Sequence, residues 1–333
     1  MTSPRLSEDS LVSEFRTIVD ATLTTRVRLG IGDDAAIWQP SRSHRSVITT
    51  DELVEGVHFT RETMAPADIG WRTAVASLSD LAAMGARPVL ATIALGVPPQ
   101  SGVEELLEIY RGIARCAAID RLAIVGGDLT RAPVLSLTMT AVGEVRPAHA
   151  KTRSGGRSGN VIAVTGDLGA ARAGLDVARG AVSLGDAELE RAALLAFRHP
   201  SARVREGRWL AASASVRAMM DCSDGLSIDL ARLCDASGVG AQITAVPVAP
   251  CALAAARALE EDPLTYALSG GEEYELIVAI ERRAFSHLAS RFAARFGRTL
   301  HDLGTLRPQR GVVLSRNGVQ TPVPRTGWEH FES

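Results

Sequence analysis

The first half of the chain shows two different periodicities of apolar and polar residues. Short apolar or alternating runs predict strands, and recurrence at three- and four-residue spacing predicts helices. The elements predicted in this half are strands at 46–50, 89–95, 122–125 and 134–145 and helices at 70–84 and 102–118. This mixture predicts an α/β fold in which mixed sheets pack with helices.

A cluster of Pro, Ser and Gly residues at 147–160 interrupts this pattern. Such residues favour turns and linkers, so we predict an N-terminal domain at 1–147 and a C-terminal domain at 148–333. The elements predicted in the second half are strands at 161–165, 242–246 and 275–280 and helices from about 169 and at 186–197, 204–215 and 225–236. Asn317-Gly318, between two short apolar runs, predicts a type I′ hairpin.

Composition and missing motifs exclude several classes of protein. The 333 residues carry 36 basic and 38 acidic side chains, and the net charge of −2 gives no reason to expect nucleic acid or a membrane as a partner. No segment has the apolar length of a membrane span or the pattern of a signal peptide, so we expect a cytoplasmic protein. Neither a P-loop, nor a Gly-x-Gly-x-x-Gly that opens a helix after a strand, nor a protein-kinase His-Arg-Asp motif is present.

Several aspartates lie where an apolar strand is expected to give way to a Gly-rich or polar turn. The segments are Gly32-Asp33-Asp34, Thr49-Thr50-Asp51, Ser79-Asp80, Gly127-Asp128 and Asp221-Cys222-Ser223-Asp224-Gly225. Any one of these aspartates also fits a turn or a helix cap. Carboxylates gathered in one place repel one another, and Mg²⁺ is held in proteins by carboxylates, water and substrate phosphates. Repetition in five segments therefore favours a Mg²⁺ site that holds phosphate groups.

Seven motifs, spread in order over nearly the whole chain, are distinctive. They are Gly30–Ala36, Thr49–Phe59, Leu78–Ala86, Gly126–Asp128, Asp221–Leu226, Leu268–Leu276 and Gly327–Phe331. Together they resemble the thiamine-monophosphate kinase family, part of the superfamily that includes aminoimidazole ribonucleotide synthetase. The resemblance implies a PurM-like fold of two domains with the ATP site between them, and a homodimer formed mainly through the N-terminal domains. It implies that ATP, with several Mg²⁺ ions, phosphorylates thiamine monophosphate to thiamine diphosphate by direct in-line transfer of the γ-phosphoryl group.

The same resemblance implies roles for individual residues. The implied magnesium ligands are Asp34, Thr49, Thr50, Asp51, Asp80, Asp128, Asp221 and Asp224, of which Asp51, Asp80, Asp128 and Asp224 are the catalytic set. The implied ATP contacts are Tyr110, Gly127, Asp128, Arg153 and Ser223. The implied contacts to thiamine phosphate are His58, Glu272 and Trp328.

Other interpretations stay open at this point. Tyr110 has helical spacing with Leu106 and Ile113, which fits core packing as well as a nucleotide contact. Trp328 fits a residue that anchors the end of the chain, and Glu273 stands where the family usually has aspartate. The alternative functions are those of another ATP-dependent member of the superfamily, or of a non-catalytic regulatory dimer that binds nucleotide and metal.

Overall fold

The computed structural model describes residues 7–328, and these divide into two compact units. The first comprises residues up to Leu81 together with Ala86–Pro147, and the second comprises Ala82–Gly85 and the residues from Ala148 onward. Helices and strands alternate through both, so the predicted α/β fold class with mixed sheets is confirmed.

The first unit is built on a four-stranded sheet. Its elements in chain order are α1 (Glu8–Val19), β1 (Val27–Leu29), β2 (Ile37–Trp38), β3 (Arg45–Val54), α2 (Pro66–Ala83, whose last two residues group with the second unit), β4 (Arg87–Val97), α3 (Val103–Asp120), β5 (Ala123–Arg131) and β6 (Ser136–Val145). The sheet order is β3-β6-β4-β5, parallel between β4 and β5 and antiparallel elsewhere, and β1 and β2 form a separate pair. Strand β6 alternates fully buried Leu137, Met139 and Ala141 with partly exposed threonines, so one face of the sheet belongs to the core.

The second unit is built on a seven-stranded sheet. Its elements are β7 (Val161–Val164), α4 (Ala170–Ala178), α5 (Ala187–Arg198), α6 (Val204–Ala211), β8 (Val216–Cys222), α7 (Leu226–Ser237), β9 (Gly240–Ile243), α8 (Pro250–Ala258), α9 (Pro263–Ser269), β10 (Glu275–Ile280), α10 (Arg282–Phe296), β11 (His301–Arg307), β12 (Gly311–Arg316) and β13 (Val319–Pro322). The sheet order is β13-β12-β9-β11-β7-β10-β8, with one parallel pair, β12 and β9. All six residues of β10 are buried, since this strand lies between β7 and β8 inside the sheet.

Several predicted elements are confirmed and others are corrected. The hairpin at Asn317-Gly318 is confirmed, because both residues have positive φ between the paired strands β12 and β13. The predicted helix at 204–215 is too long, since α6 ends at Ala211 and β8 already begins at Val216. The single lysine binds the segment that follows α6: the Nζ of buried Lys151 donates to the carbonyl oxygens of Ser213 and Val216, 3.1 and 2.9 Å away.

The interpretation of the aspartates as strand-end residues is wrong for three of them. Asp51 lies within β3, because that strand pairs with β6 residue by residue as far as Val54. Asp128 lies within β5, and Asp80 lies within α2. These side chains are therefore held by regular backbone rather than by loops, which fixes their positions more firmly.

Candidate active site

In the first unit, α2 meets the face of β3 that carries Thr49 and Asp51. The hydroxyl of Thr49 donates a short hydrogen bond to the Oδ2 atom of Asp80. The hydroxyl of Ser77, one helical turn earlier on α2, donates to Oδ2 of Asp51 at 3.0 Å. The helix and the strand therefore hold the carboxylates of Asp51 and Asp80 in one small polar site. We call this pair, with Thr49 and Ser77, the carboxylate pair site.

The carboxylate pair site has an excess of negative charge. Burial and, to a smaller extent, the charge of Asp80 raise the pKa of Asp51 to about 6, although the hydrogen bond from Ser77 lowers it. Burial and the charge of Asp80 both disfavour the ionised form of Asp51, whereas a bound cation would favour it. Carboxylate oxygens are the donors that Mg²⁺ prefers, so the donor set of the pair fits this ion.

The remaining ligands predicted in this unit do not join the pair. Asp51, Met139, Ile93 and Gly127 form one row across the sheet, so Gly127 and Asp128 lie three strands, roughly 14 Å, from Asp51. A Cβ at Gly127 would overlap the carbonyl oxygen of Ile93, so close packing requires glycine here whether or not the residue also contacts ATP. Throughout residues 7–328, no group of three or more His, Cys, Asp or Glu side chains is arranged to hold a metal ion.

Asp34 and Thr50 are both exposed. Asp34 lies in the loop between β1 and β2, where its backbone N–H donates to the Asp33 carboxylate at 2.9 Å. Thr50 points to the face of the sheet opposite Thr49 and Asp51, and its hydroxyl lies 3.1 Å from that of Thr140. Of the two threonines, only Thr49 therefore directs its hydroxyl toward the carboxylate pair site.

Two predicted contact residues in this unit have structural partners. The Nδ1 atom of His58 accepts the backbone N–H of Val54 at 3.0 Å, which fastens the ring to the turn after β3. Tyr110 is buried, and its ring stacks on that of Phe15 with centroids 3.6 Å apart. Burial also raises the pKa of the Tyr110 hydroxyl far above its usual value. The position of Tyr110 thus favours the packing interpretation.

In the second unit, the segment between β8 and α7 carries Asp221, Ser223 and Asp224. Asp221 is buried near the end of β8, and Gly225, with φ of 120°, makes the turn into the helix. The backbone N–H groups of Ser223, Asp224 and Gly225 all donate to Oδ2 of Asp229. We call Ser223–Gly225 the turn segment.

The motif that contains Glu272 packs directly on the turn segment. The backbone N–H of Glu272 donates to the carbonyl oxygen of Ser223 at 2.6 Å, and that of Tyr274 donates to Cys222 at 2.8 Å. Both donors have positive φ, 65° for Glu272 and 51° for Tyr274, a conformation that side chains other than glycine adopt at a cost. The contacts to β8 and the turn segment compensate for this strain.

The C-terminal segment reaches the same place. The backbone N–H of Trp328 donates to the carbonyl oxygen of Asp224 at 2.9 Å, and Ser227 on α7 donates its hydroxyl to the carbonyl oxygen of Thr326. The ring of Trp328 is 46% exposed. Four predicted site residues, Ser223, Asp224, Glu272 and Trp328, are thus brought together within one unit. The motif residues Glu329, His330 and Phe331 lie outside the described residues.

Arg153 lies in the exposed loop after Lys151. Its carbonyl oxygen accepts the hydroxyl of Ser237, 2.9 Å away, and the same hydroxyl accepts the N–H of Gly156. The backbone of this loop is therefore fixed to the end of α7, while the Arg153 side chain is exposed.

Comparison with known proteins identifies the family. Residues 32–145 match the model of the AIR synthase related protein N-terminal domain, and residues 157–314 match that of the AIR synthase related protein C-terminal domain. A thiamine-monophosphate kinase of Synechococcus elongatus is 40% identical over 255 residues, which are 75% of this chain and 76% of that protein. The chain belongs to the thiamine-monophosphate kinase family.

Solved structures of the thiamine-monophosphate kinase family share the fold. The crystal structure of the Stenotrophomonas maltophilia K279a enzyme superposes with a TM-score of 0.81 at 33% identity and covers 93% of this chain and 96% of that one. A structure of AaThiL complexed with AMPPCP and TMP has a TM-score of 0.77 at 27% identity and covers 99% of this chain and all of that one. The predicted PurM-like two-domain fold is thereby confirmed, and the chain is an enzyme of this family. Among residues 7–328, no helix has the length and apolar character needed to cross a bilayer.

Three further residues at these sites escape prediction from the thiamine-monophosphate kinase motifs alone. Ser77, Asp229 and Arg232 all lie on helices, where their type and spacing are ordinary. Asp229 does carry a signal, because an acidic residue in the first turn after a Gly-containing loop is typical of a helix start. Nothing in the sequence indicates that its carboxylate is fully buried.

Glu273, one of the positions at which this chain departs from the usual family pattern, is also buried. Its Oε1 atom accepts the N–H of Gly169 at 2.6 Å, which ties the Glu272 motif to the start of α4. Burial raises the pKa of Glu273 to about 8, with a smaller contribution from the charge of Glu275. The longer side chain is therefore accommodated inside the second unit, behind the surface that carries Glu272.

Proposed function

We propose that the chain transfers the γ-phosphoryl group of ATP directly, and in line, to the phosphate of thiamine monophosphate, giving thiamine diphosphate and ADP. The observation that carries this proposal is the convergence of Ser223, Asp224, Glu272 and Trp328 in a chain of the thiamine-monophosphate kinase family. The relative whose structure contains AMPPCP and TMP binds just this pair of ligand classes, an ATP analogue and the acceptor.

The chemistry needs no general base. A phosphate monoester has its second pKa near about 6, so the acceptor is largely a dianion at neutral pH. One of its oxygens forms the new bond to the γ-phosphorus while the bond to the bridging oxygen of ADP breaks. The difficulty is to bring two anions together, so the protein's task is to neutralise charge and to align the reacting atoms.

We assign the carboxylate pair site to Mg²⁺. The raised pKa of Asp51 and the proximity of Asp80 describe a site with uncompensated negative charge, and one or two carboxylates plus substrate phosphates are a usual Mg²⁺ ligand set. When bound, Mg²⁺ would neutralise charge on the phosphate oxygens. Asp51 and Asp80 would hold the ion, and the hydrogen bond from Thr49 orients Asp80. Asp34, Asp128, Asp221 and Asp224 are proposed ligands of further Mg²⁺ ions rather than of this one. Thr50, whose hydroxyl lies on the opposite face of the sheet, is a proposed ligand through its backbone oxygen.

The contacts to the two substrates follow the chemistry of each side chain. We propose that the exposed Trp328 ring stacks on the cationic thiazolium or the pyrimidine of thiamine, and that Glu272 faces the same positive charge. Arg153 suits a bidentate contact to ATP phosphates. Ser223, Gly127 and Asp128 are the other proposed ATP contacts, and His58 is a proposed contact to thiamine phosphate. We place Tyr110 in the core rather than against ATP.

We propose that the chain forms a homodimer through the exposed face of the first unit's sheet. On this face the row Ile48–Val142 lies beside the row Thr50–Thr140–Thr92, and neither row contains a charged side chain. Ile48, in the middle of the edge strand β3, is 68% exposed, and together with Val142 it offers an apolar surface that suits a contact with another protein. A second copy of the chain would cover this surface. The cytoplasm stays the predicted location.

A direct assay tests the proposed reaction. The purified protein is incubated with thiamine monophosphate, Mg²⁺ and ATP labelled in the γ-phosphate, and the products are separated by chromatography. We expect label in thiamine diphosphate, stoichiometric ADP, loss of activity with a chelator and recovery with added Mg²⁺. Thiamine, which offers a hydroxyl in place of the phosphate, serves as the control acceptor. Phosphorylation of thiamine with none of thiamine monophosphate would contradict the proposal, as would label that fails to reach the product.

A further inference from the structure

Asp229 is a fully buried carboxylate with an unusual number of backbone partners. Its Oδ2 atom accepts the N–H groups of Ser223, Asp224 and Gly225 at 3.0, 2.9 and 3.2 Å. Its Oδ1 atom accepts the guanidinium of Arg232 at 2.8 Å. Every residue of the turn segment is thus bound to this one side chain.

This arrangement differs from an ordinary helix cap. A capping side chain precedes its helix and accepts N–H groups from the first turn. Asp229 stands inside α7, after its first three residues, and reaches backward to N–H groups that precede the helix. Gly225 at the cap position has no side chain to serve these donors. The carboxylate therefore shapes the turn segment itself and not only the helix that follows.

Arg232 connects Asp229 to the side chain of Asp224. Its guanidinium donates to Asp229 and also forms a short hydrogen bond with Oδ2 of Asp224. The backbone of Asp224 is held by Asp229 directly, and its carboxylate is held through Arg232. Two independent contacts thus fix where the Asp224 oxygens point.

We propose that Asp229 is a positioning residue, which holds the turn segment so that Ser223 and Asp224 present their side chains to the phosphate groups in transfer. The inference rests on the proposed function for its catalytic part. The backbone N–H groups of Glu272 and Trp328 donate to carbonyl oxygens of the turn segment. Each of these two segments also has a hydrogen bond that does not involve the turn segment: the N–H of Tyr274 donates to Cys222, and the hydroxyl of Ser227 donates to Thr326. A disturbed turn segment should therefore impair transfer more than the binding of thiamine monophosphate.

The test is Asp229→Asn, which keeps the size of the side chain but removes its charge and one acceptor oxygen. We expect faster amide hydrogen exchange in the peptide that contains the turn segment, measured by mass spectrometry. We expect kcat to fall about 10²-fold. The KM for thiamine monophosphate should change less than threefold. A general loss of folded protein would also lower the apparent kcat at an unchanged KM, so the folded fraction of each variant is measured by thermal unfolding in parallel and kcat is expressed per folded molecule.

Two variants complete the experiment. Asp186→Asn is the matched control, because Asp186 also accepts two backbone N–H groups, at the start of α5, and lies outside the proposed site. It should leave kcat unchanged. Arg232→Met keeps the three hydrogen bonds that Asp229 accepts from backbone N–H groups, so the exchange of the turn segment should stay slow while kcat falls about tenfold. This variant also tests the inference if Asp229→Asn does not fold.

Three results would overturn the inference. They are an unchanged kcat in Asp229→Asn, a lower kcat with unchanged exchange in the turn segment, and an unchanged kcat in Arg232→Met. A wild-type protein without thiamine-monophosphate kinase activity would instead overturn the proposed function. The exchange measurement would still report on Asp229 in that case, so the two failures are distinguishable.

Discussion

The backbone N–H of Trp328 donates a 2.9 Å hydrogen bond to the carbonyl oxygen of Asp224, so the main chain that carries the indole ring is fixed to the turn segment. Because Trp328→Ala retains that hydrogen bond, the variant should fold and bind ATP as the wild type does. The lost ring would remove a stacking or cation–π contact of about 1 kcal/mol. We expect the KM for thiamine monophosphate to rise about five- to tenfold in steady-state kinetics, with the KM for ATP unchanged.

The matched variant is Trp328→Phe, which retains an aromatic face and should recover most of the affinity for thiamine monophosphate. If Trp328→Ala and wild type have the same KM for this substrate, the ring has no contact with it. The remaining interpretation of Trp328 would then be that it anchors the end of the chain.

Asp51 and Asp80 give a second prediction, in which activity falls although the free energy of unfolding does not. In Asp80→Asn the amide oxygen still accepts the Thr49 hydroxyl, and the repulsion that raises the pKa of Asp51 disappears. The free energy of unfolding should therefore stay equal or increase by about 1 kcal/mol. Activity at saturating substrates should fall about 10²-fold or more, because a ligand for the proposed metal is lost.

Urea unfolding and a kcat measurement check this pair of outcomes. The control is Asp68→Asn, which changes a carboxylate of the same helix whose side chain accepts the N–H of Ala65. It should keep full activity. A stable Asp80→Asn enzyme with normal kcat would remove Asp80 from the proposed metal site.

The resemblance and the local pattern differ in how well they describe the surroundings of Asp51 and Asp80. The resemblance implies both as magnesium ligands, and the structure brings their side chains into one polar site. The local pattern predicts the end of a strand at both positions. Whether an aspartate ends a strand depends on how far the neighbouring strand pairs with it, and β6 pairs with β3 beyond Asp51. Such pairing is a long-range property that local patterns do not contain.

Elements with a clear apolar pattern in the local sequence are predicted well. The run Glu275–Ile280 is a strand at its predicted limits, because it lies between two other strands and is apolar from Leu276 onward. In contrast, α10 (Arg282–Phe296) is not predicted, although it has an amphipathic pattern. The burial of Asp229 and Glu273 could not be predicted either, since it follows from the packing of segments distant in sequence.

Glu273 gives a prediction for the pH dependence of stability. In the folded protein its pKa is about 8, above the ordinary value of 4.5. Between these values the folded state retains a proton that the unfolded state has released, so this group makes the protein less stable as pH rises from about 5 to 8. Glu273→Gln cannot ionise and still offers an oxygen to Gly169. In the wild type we expect the free energy of unfolding to decrease by the order of 2–4 kcal/mol over this pH range because of Glu273, and in the variant this decrease should be absent.

Urea unfolding of both proteins at pH 5 and pH 8 measures this effect. The gain in free energy of unfolding from Glu273→Gln should be larger at pH 8 than at pH 5. Glu188→Gln, a change at a largely exposed carboxylate, should show no such difference between the two pH values. An equal effect of Glu273→Gln at both would mean that Glu273 ionises at its ordinary pKa.

Ile48 gives a prediction for assembly. It is 68% exposed on the sheet face that we propose as the dimer surface, next to Val142 and one row from Thr50 and Thr140. In Ile48→Arg a charged group would be buried without a partner when two such faces meet, and an unpaired buried charge is costly. The side chain points away from the core, so the folded chain itself should tolerate the change.

Light scattering after size-exclusion chromatography measures the mass of each species. We expect a dimer for the wild type and a monomer for Ile48→Arg. Ile119→Arg is the matched control, since Ile119 is a 60% exposed isoleucine on α3 rather than on the sheet. It should remain a dimer, because the same new charge would stay in water. A dimeric Ile48→Arg, or a monomeric wild type, would mean that this face is not the interface, and that its two uncharged rows need a different explanation.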